Sequence, residues 1–261
     1  MWRKGVGMQI AMVVYPGMTA LDLIGPYEVL RFVPDAEIRF VWSEPGPVIA
    51  DSGVLVLAAT HSFDETPAPD IVVIGGSGTA TATISKNRQL LDWLRRVHET
   101  TLWTASVCTG SIVLASAGLL EGLPATTHWS QLPVLDGLGA KAIDDQRIVH
   151  TGKIVTGAGV SAGIDLALWL VGQVAGDDVA RAAQLVIEYD PRPPYDSGSL
   201  AKAGAATKRA VAAIIGREAV KLAAAEPGAL LRESVGLSQL AWKTVLHKVR
   251  RRTPSSRTTL R

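Results

Sequence analysis

Short apolar runs alternate with helical segments along most of the chain, and this alternation constrains the fold more than any other feature. Residues 8–15, 38–42, 71–74 and 102–107 are compact, mainly aliphatic runs of the kind that form buried strands. Amphipathic stretches lie between them, most clearly at residues 88–100. Strands that alternate with helices pair in parallel, because each helical crossover covers one face of the sheet. We therefore predict a mostly parallel sheet with helices on both faces.

The charge of the chain is divided unevenly between two segments. Residues 1–201 contain 13 basic and 21 acidic residues, whereas residues 202–261 contain 13 basic and 3 acidic residues, and the whole chain has a net charge of +2. Such a split indicates two segments with different roles. We predict an α/β domain over residues 1–200 and a helical, basic extension over residues 201–261.

The basic extension leaves two interpretations open. Residues 208–225 predict an amphipathic helix, and a frayed basic terminus after it is the simpler interpretation. Residues 230–238 have the pattern of a helix, a glycine and a second helix, and residues 250–252 are three arginines suited to phosphate contacts. Nucleic-acid binding is therefore disfavoured but stays open.

Composition narrows the class of protein. A single cysteine excludes a disulfide framework within the chain and a zinc site built from several cysteines. The five histidines have no metal-binding spacing, so we expect no metal. No apolar run reaches the length of a membrane span, and the first residues (MWRKG) lack the apolar core of a secretory signal. A reducing, cytoplasmic location follows as the expectation, with translation starting at Met1 or Met8.

Cys108 is the first candidate for chemistry. It follows an apolar strand and precedes a helix in the sequence SVCTGS, and ligands bind at the carboxyl ends of the strands in parallel sheets. A cysteine on such a turn is exposed at the sheet edge, and the start of the helix is expected to stabilise its thiolate. The alternative is a buried, inert cysteine, since cysteine is among the most buried residue types.

Two further strand ends carry candidate residues. The glycine-rich residues 75–78 follow a strand, and the N–H groups of Gly75 and Gly76 are candidates for an oxyanion hole, although an ordinary turn fits the sequence equally well. Asp22 follows the first strand among aliphatic neighbours. It is costly to bury without a partner, or else it is an acid at a helix start that faces water.

His128 and Asp165 are weaker candidates for a supporting role. His128 ends the sequence ATTH, and an isolated histidine is more often structural than catalytic. Asp165 lies where a glycine-rich stretch enters a helix, a position at which an acid commonly caps the helix.

Taken together, these residues resemble the ThiJ/PfpI superfamily, relatives of the class I glutamine amidotransferases. The resemblance runs from about residue 8 to residue 199. Its motifs are residues 21–26 (LDLIGP), 75–76 (GG), 106–111 (SVCTGS), 117–120 (AGLL), 125–129 (ATTHW) and 163–165 (GID). It implies a three-layer α/β/α sandwich of flavodoxin-like type, a nucleophile elbow at Cys108 and a homodimer.

Within the superfamily, the chain most resembles the isonitrile hydratase branch. The shared features are an aspartate at position 22 and residues 42–48 (WSEPGPV), 188–189 (EY), 193–194 (PP) and 197–199 (SGS). The resemblance implies a cofactor-free reaction on a small isocyanide. In it, Cys108 attacks the terminal carbon to give a thioimidate, Asp22 handles protons and water, and the Thr109 hydroxyl orients water or substrate.

Two other functions remain open within the same superfamily. Regulators of the AraC type carry a similar domain ahead of a DNA-binding region, which makes a ligand sensor the main alternative. A glyoxalase-like stress protein is a third, although that branch uses glutamate where this chain has Asp22. Position 109 is threonine where the protease-like branch has histidine, so amide hydrolysis lacks its neighbouring base.

Overall fold

The computed structural model describes residues 7–225, which are organised around a seven-stranded sheet. Two short two-stranded sheets lie beside it, one of them an antiparallel hairpin. In chain order the strands are β1 (Gln9–Val13), β2 (Glu37–Trp42), β3 (Gly46–Ile49), β4 (Val56–Ala59), β5 (His61–Ser62), β6 (Ile71–Ile74), β7 (Trp103–Val107), β8 (Pro124–Ala125), β9 (Lys141–Ala142), β10 (Ile148–Thr151) and β11 (Ile154–Gly157).

The helices connect the strands and flank the main sheet. A single 3-10 turn, Trp129–Gln131, precedes the fifth helix. In chain order the helices are α1 (Ala20–Leu30), α2 (Thr81–Ile84), α3 (Arg88–Thr100), α4 (Gly110–Ser116), α5 (Leu132–Gly137), α6 (Ala162–Ala175), α7 (Asp177–Val186) and α8 (Ala205–Ala225).

The order of strands in the main sheet is β10-β11-β7-β6-β1-β2-β5. All neighbouring pairs are parallel except β10 and β11, which form an antiparallel edge. This arrangement confirms the predicted mostly parallel sheet and the flavodoxin-like α/β sandwich. Strands β3 and β4 pair antiparallel as a hairpin.

Burial explains why these segments form strands and helices. Every residue of β6 is buried, as expected for a central parallel strand covered on both faces. Helix α3 buries one apolar stripe, and the Asn87 side chain caps its start by accepting a hydrogen bond from the Leu90 N–H at 3.0 Å. The aliphatic sequence of β6 thus identifies a strand in the middle layer of the fold, and the single apolar face of α3 identifies a helix in an outer layer.

Helix α1 has an irregularity that matters for the site. Pro26 lies inside the helix. It has no N–H to donate to the carbonyl four residues earlier, so the carbonyl of Asp22 lacks its usual partner within the helix. Helix α6 packs closely beside α1, where a Cβ on Gly163 would lie 3.0 Å from the Pro26 ring. The start of α1 is therefore held tightly against the body of the protein.

The predicted extension is only partly described. Helix α8 lies within it and overlaps the predicted helix at residues 208–225. The predicted features at residues 230–238 and 250–252, and the possible start at Met1, lie outside the described residues. The domain boundary at residue 200 stays a prediction. Across residues 7–225, no helix is long and apolar enough to cross a membrane.

Candidate active site

The carboxyl ends of three adjacent strands meet at one edge of the sheet. Strands β1, β6 and β7 are neighbours, and the chain leaves them at Val14, Gly75 and Cys108 respectively. Helix α1 begins shortly after β1 and carries Asp22 in its first turn. The structure therefore brings Cys108, Asp22 and the glycine pair together at this edge.

Cys108 lies on a sharp turn between β7 and α4. Its φ angle is 56°, in the left-handed region that non-glycine residues rarely adopt. The Thr127 hydroxyl donates to the Cys108 carbonyl at 3.0 Å, and the Ser111 hydroxyl donates to it at 3.3 Å. A Cβ on Gly110 would lie 2.3 Å from the carbonyl oxygen of Ile74, so only glycine fits there. The elbow is thus fixed from both sides, and the strain at Cys108 is of the kind found at functional sites.

Asp22 is fully buried beside the cysteine. Its Oδ2 accepts a hydrogen bond from the Gly76 N–H at 2.6 Å. Its Oδ1 is buried and has no hydrogen-bond partner within residues 7–225. The Cys108 thiol interacts with this carboxyl group. When Asp22 is ionised, its carboxylate can therefore accept the proton of the thiol.

The pair holds its protons more tightly than free side chains do. Burial raises the pKa of Asp22 to about 7, although the Gly76 N–H and the Cys108 thiol lower it in part. Burial and the neighbouring charge of Asp22 raise the pKa of Cys108 above its usual value, and the hydrogen bond from the Thr109 backbone opposes them only partly. The expectation of a resting thiolate is therefore wrong. The free-energy cost of burying a negative charge on the sulfur is larger than the stabilisation that the N–H groups at the start of the short helix α4 provide.

Two groups that the sequence predicted to contact substrate or water, the Gly76 N–H and the Thr109 hydroxyl, have other partners. The Gly76 N–H donates to Asp22, so it holds the acid and is not left for substrate. The Thr109 hydroxyl accepts from the Ser77 N–H at 2.9 Å and lies 2.7 Å from the Thr81 hydroxyl. It therefore clamps the loop after β6, and it does not point freely toward water or substrate as expected. The glycines are required by space, since a Cβ on Gly75 would lie 2.7 Å from that of Asp22.

Sequence reasoning missed Tyr15, which also belongs to this site. Its side chain is fully buried, and its hydroxyl donates to the Gly75 carbonyl at 3.0 Å. Burial raises the pKa of Tyr15, and the charges of Asp22, Cys108 and Asp51 add to the effect. The available signal was its position, a polar aromatic residue just after β1 at the same sheet edge as Cys108.

The two supporting candidates have hydrogen-bond and ion-pair partners outside the Cys108–Asp22 pair. His128 is half-buried, its Nδ1 lies 2.8 Å from the Ser130 hydroxyl, and burial lowers its pKa. Its neighbour Thr127 is the residue that contacts the elbow. Asp165 pairs with Arg147 and accepts a hydrogen bond from the Tyr189 hydroxyl at 3.0 Å. Asp165 therefore joins the start of α6 to two loops.

Cys108 lies almost entirely out of contact with solvent. It is 5% exposed. A separate cavity of about 330 Å³ lies beside Trp129, between residues 197–200 and helix α8, and neither Cys108 nor Asp22 lines it. Over the described residues 7–225, no three histidine, cysteine, aspartate or glutamate side chains group in a way that could hold a metal ion. The site is therefore a buried thiol beside a buried acid.

Comparisons with known proteins identify relatives of similar sequence and fold. Isonitrile hydratase of Pseudomonas putida is 41% identical over 194 residues, which cover 74% of this chain and 84% of that protein. The crystal structure of a ThiJ/PfpI family protein from Pseudomonas syringae matches with a TM-score of 0.77 and 35% identity, over 81% of this chain and 87% of that one. The transcriptional regulator CdhR of Pseudomonas aeruginosa is 30% identical over 172 residues, 63% of this chain and half of the regulator.

A family model covers the whole region that forms the site. The model described as the DJ-1/PfpI family matches residues 8–173, which include the elbow, the glycine pair and Asp22. The ThiJ/PfpI resemblance inferred from the motifs is thereby confirmed, and the chain belongs to the DJ-1/PfpI family.

Proposed function

We propose that this protein adds water to an organic isocyanide and releases the N-substituted formamide. The proposal is supported by the similarity to isonitrile hydratase over 84% of that enzyme's length. It is supported independently by the buried Cys108–Asp22 pair. An isocyanide ends in a slender, linear N≡C group, which suits a nucleophilic cysteine that is only 5% exposed.

In the first step, the thiol adds across the terminal carbon of the isocyanide. The Cys108 sulfur forms the new S–C bond while its proton passes to Asp22, whose Oδ1 is available to accept it. Negative charge develops on the carbon, and Asp22 returns the proton to that atom. The product is a thioimidate with a new C–H bond, and Asp22 is again a carboxylate.

In the second step, water replaces the sulfur. Asp22 accepts a proton from a water molecule as the oxygen attacks the thioimidate carbon, and then passes that proton to the imine nitrogen. The resulting tetrahedral intermediate collapses, the C–S bond breaks, and the proton of the new hydroxyl group passes to the Cys108 sulfur as the formamide leaves. Water and isocyanide are consumed in equal amounts, and no redox step occurs. The thiol supplies the covalent step, so the proposed reaction needs no cofactor.

One observation carries the proposal, which is a fully buried acid held against the elbow thiol, and burial raises the pKa of that acid to about 7. A group that exchanges protons near neutral pH serves well both as base and as acid, and each step requires both roles. The charge in the first step forms on carbon, so protonation by Asp22 takes the role that an oxyanion hole has in acyl transfer. This fits the engagement of the Gly76 N–H with Asp22.

The experiment is direct. Purified protein is incubated with an aryl or alkyl isocyanide, and formamide is followed by the formyl proton signal in NMR. We expect turnover by the wild type and none by Cys108→Ala, with Asp165→Asn as the control because its partners are Arg147 and Tyr189 and not the Cys108–Asp22 pair. Formamide production by Cys108→Ala at the wild-type rate would contradict the mechanism.

The assembly and the cellular location of the protein are proposed on separate grounds. We propose a homodimer, in keeping with the dimers common in this family, and light scattering at twice the chain mass of 27.6 kDa would support it. We further propose a cytoplasmic location, since a reducing compartment keeps the single cysteine as a thiol.

A ligand-sensing regulator is the second candidate. The similarity to CdhR favours it, although this chain matches half of that regulator. In this alternative the same pocket binds a ligand without turning it over. Salt-dependent DNA binding that is lost on removal of the residues after about 205 would support the regulator. A glyoxalase-like activity is checked by lactate formation from methylglyoxal, and its absence removes that alternative.

A further inference from the structure

A single peptide unit connects Tyr15 to the acid of the site. The carbonyl of Gly75 and the N–H of Gly76 belong to the same peptide group. The Tyr15 hydroxyl donates to that carbonyl at 3.0 Å, and that N–H donates to Asp22 Oδ2 at 2.6 Å. Both side chains are fully buried, so water does not compete at either end.

Hydrogen bonds at the two ends of one peptide group reinforce each other. A donor on the carbonyl draws electron density toward oxygen and makes the N–H a stronger donor. We propose that Tyr15 is a positioning residue of the site: its hydroxyl polarises and holds the Gly75–Gly76 peptide, which in turn holds the Asp22 carboxylate against Cys108. Tyr15 acts through the peptide and not on the substrate, so the proposal does not depend on which reaction the site performs.

The surroundings keep this peptide from moving away. A Cβ on Gly76 would lie 2.3 Å from the Thr109 hydroxyl oxygen, so the peptide is already packed against the elbow. The Gly76 carbonyl accepts from the Thr19 N–H at 3.0 Å. The Tyr15 ring packs against that of Trp42, with centroids 6.1 Å apart. The hydroxyl therefore has a fixed direction toward the Gly75 carbonyl.

Three titratable groups face Asp22 from different elements. Cys108 comes from the elbow, Tyr15 from the end of β1, and Asp51 from the β3–β4 hairpin. Asp51 accepts a hydrogen bond from the Thr19 hydroxyl at 2.6 Å, and its charge opposes ionisation of Asp22. Burial raises the pKa of Tyr15 well above 10, so its hydroxyl keeps its proton and remains a donor at neutral pH.

Loss of the hydroxyl has a distinctive effect on the shared proton. When the carboxylate becomes less stable, the pair loses its first proton at a higher pH, and a larger share of the resulting anion is thiolate. The intrinsic acidity of the thiol is unchanged, so its reactivity at low pH stays the same. Each tenfold rise in the proton affinity of the pair is therefore accompanied by a tenfold rise in thiolate at the plateau.

The test uses the rate of Cys108 alkylation by iodoacetamide as a function of pH, followed by intact mass. The chain has one cysteine, so the signal is specific. For Tyr15→Phe we expect two changes in the curve of alkylation rate against pH. Its midpoint should rise by about 0.5 pH units and its plateau rate by about 3-fold, as expected for the loss of the hydrogen bond that polarises the Gly75–Gly76 peptide. Tyr27→Phe is the control, because Tyr27 is on the same helix as Asp22 and packs against Phe40.

A second perturbation moves the same equilibrium in the opposite direction. Site-specific incorporation of 3-fluorotyrosine in place of Tyr15 keeps the ring and makes the hydroxyl a stronger donor. We expect the midpoint and the plateau to fall together, and this measurement decides the matter if Tyr15→Phe does not fold. Profiles that coincide with the wild type, or a midpoint that moves without the matching plateau change, would overturn the proposal.

Discussion

Replacing Asp22 by asparagine is expected to make the protein more stable at neutral pH. The pKa of Asp22 rises from 3.8 to about 7 on folding. Between those values the folded protein keeps a proton that the unfolded chain has lost, so the stability of the wild type falls as the pH rises through this window. A tenfold change in proton affinity corresponds to about 1.4 kcal/mol, so the buried carboxylate costs up to about 4 kcal/mol above pH 7.

Asparagine removes this cost because it does not ionise. Its amide oxygen can still accept from the Gly76 N–H, but its NH₂ group needs a partner in the buried site, which reduces the gain. We therefore expect Asp22→Asn to exceed the wild type by about 2–4 kcal/mol at pH 8. Near pH 4, where only the cost of the amide group remains, we expect it to equal the wild type or to fall below it by up to about 2 kcal/mol. It should also lose turnover, which is the usual opposition between stability and function at an active site.

Urea unfolding at pH 4 and pH 8 measures the effect for the wild type and the variant. Asp165→Asn is the control with the opposite sign, since it loses the ion pair with Arg147 and gains nothing in return. That pair is partly exposed, so the loss should be about 1 kcal/mol or less. An Asp22→Asn variant that is less stable than the wild type at pH 8 would refute the conclusion that the buried, ionised carboxylate of Asp22 destabilises the folded protein.

The remaining predictions concern the glycine loop and the pH dependence of turnover. Gly76→Ala places a Cβ 2.3 Å from the Thr109 hydroxyl oxygen and 2.4 Å from its backbone nitrogen, whereas Gly78→Ala meets nothing within 4 Å. We expect Gly76→Ala to lower the free energy of unfolding by about 3 kcal/mol and Gly78→Ala to change it by under about 1 kcal/mol. Equal midpoints for the two variants in urea unfolding would contradict this expectation. For turnover, kcat/KM should rise with pH and level off above about 7 as the Asp22 carboxylate forms, and a flat profile through this range would exclude Asp22 as the base.

Elements with a strong local signal could be predicted from the sequence. Helix α3 begins and ends where its amphipathic pattern predicts, at Arg88–Thr100. Strand β6 is likewise as predicted, at Ile71–Ile74, since four consecutive aliphatic residues suit a strand covered on both faces. Helix α5 was missed because its six residues are too few for a periodic pattern.

The members of the site could be predicted more readily than their roles. Position at a strand end identified Cys108, Asp22 and the glycine pair, because parallel strands bring their carboxyl ends to one edge. Which N–H points to which oxygen depends on contacts between distant segments, such as the one between Gly76 and Asp22. The protonation state of Cys108 depends on burial, which a sequence does not give, and Tyr15 was missed for the same reason.

A neutral thiol beside a carboxylate that can take up and return its proton suits addition across a carbon better than a preformed thiolate does. Addition of S and H to one carbon needs a nucleophile and a proton at the same place, and a pair that shares one proton supplies both without bulk solvent. A thiolate would supply only the sulfur and would need an acid from elsewhere. The elbow, the short side chain of Asp22 and the double glycine keep the two groups in contact. The burial that raises both pKa values is therefore what makes the pair competent for this chemistry.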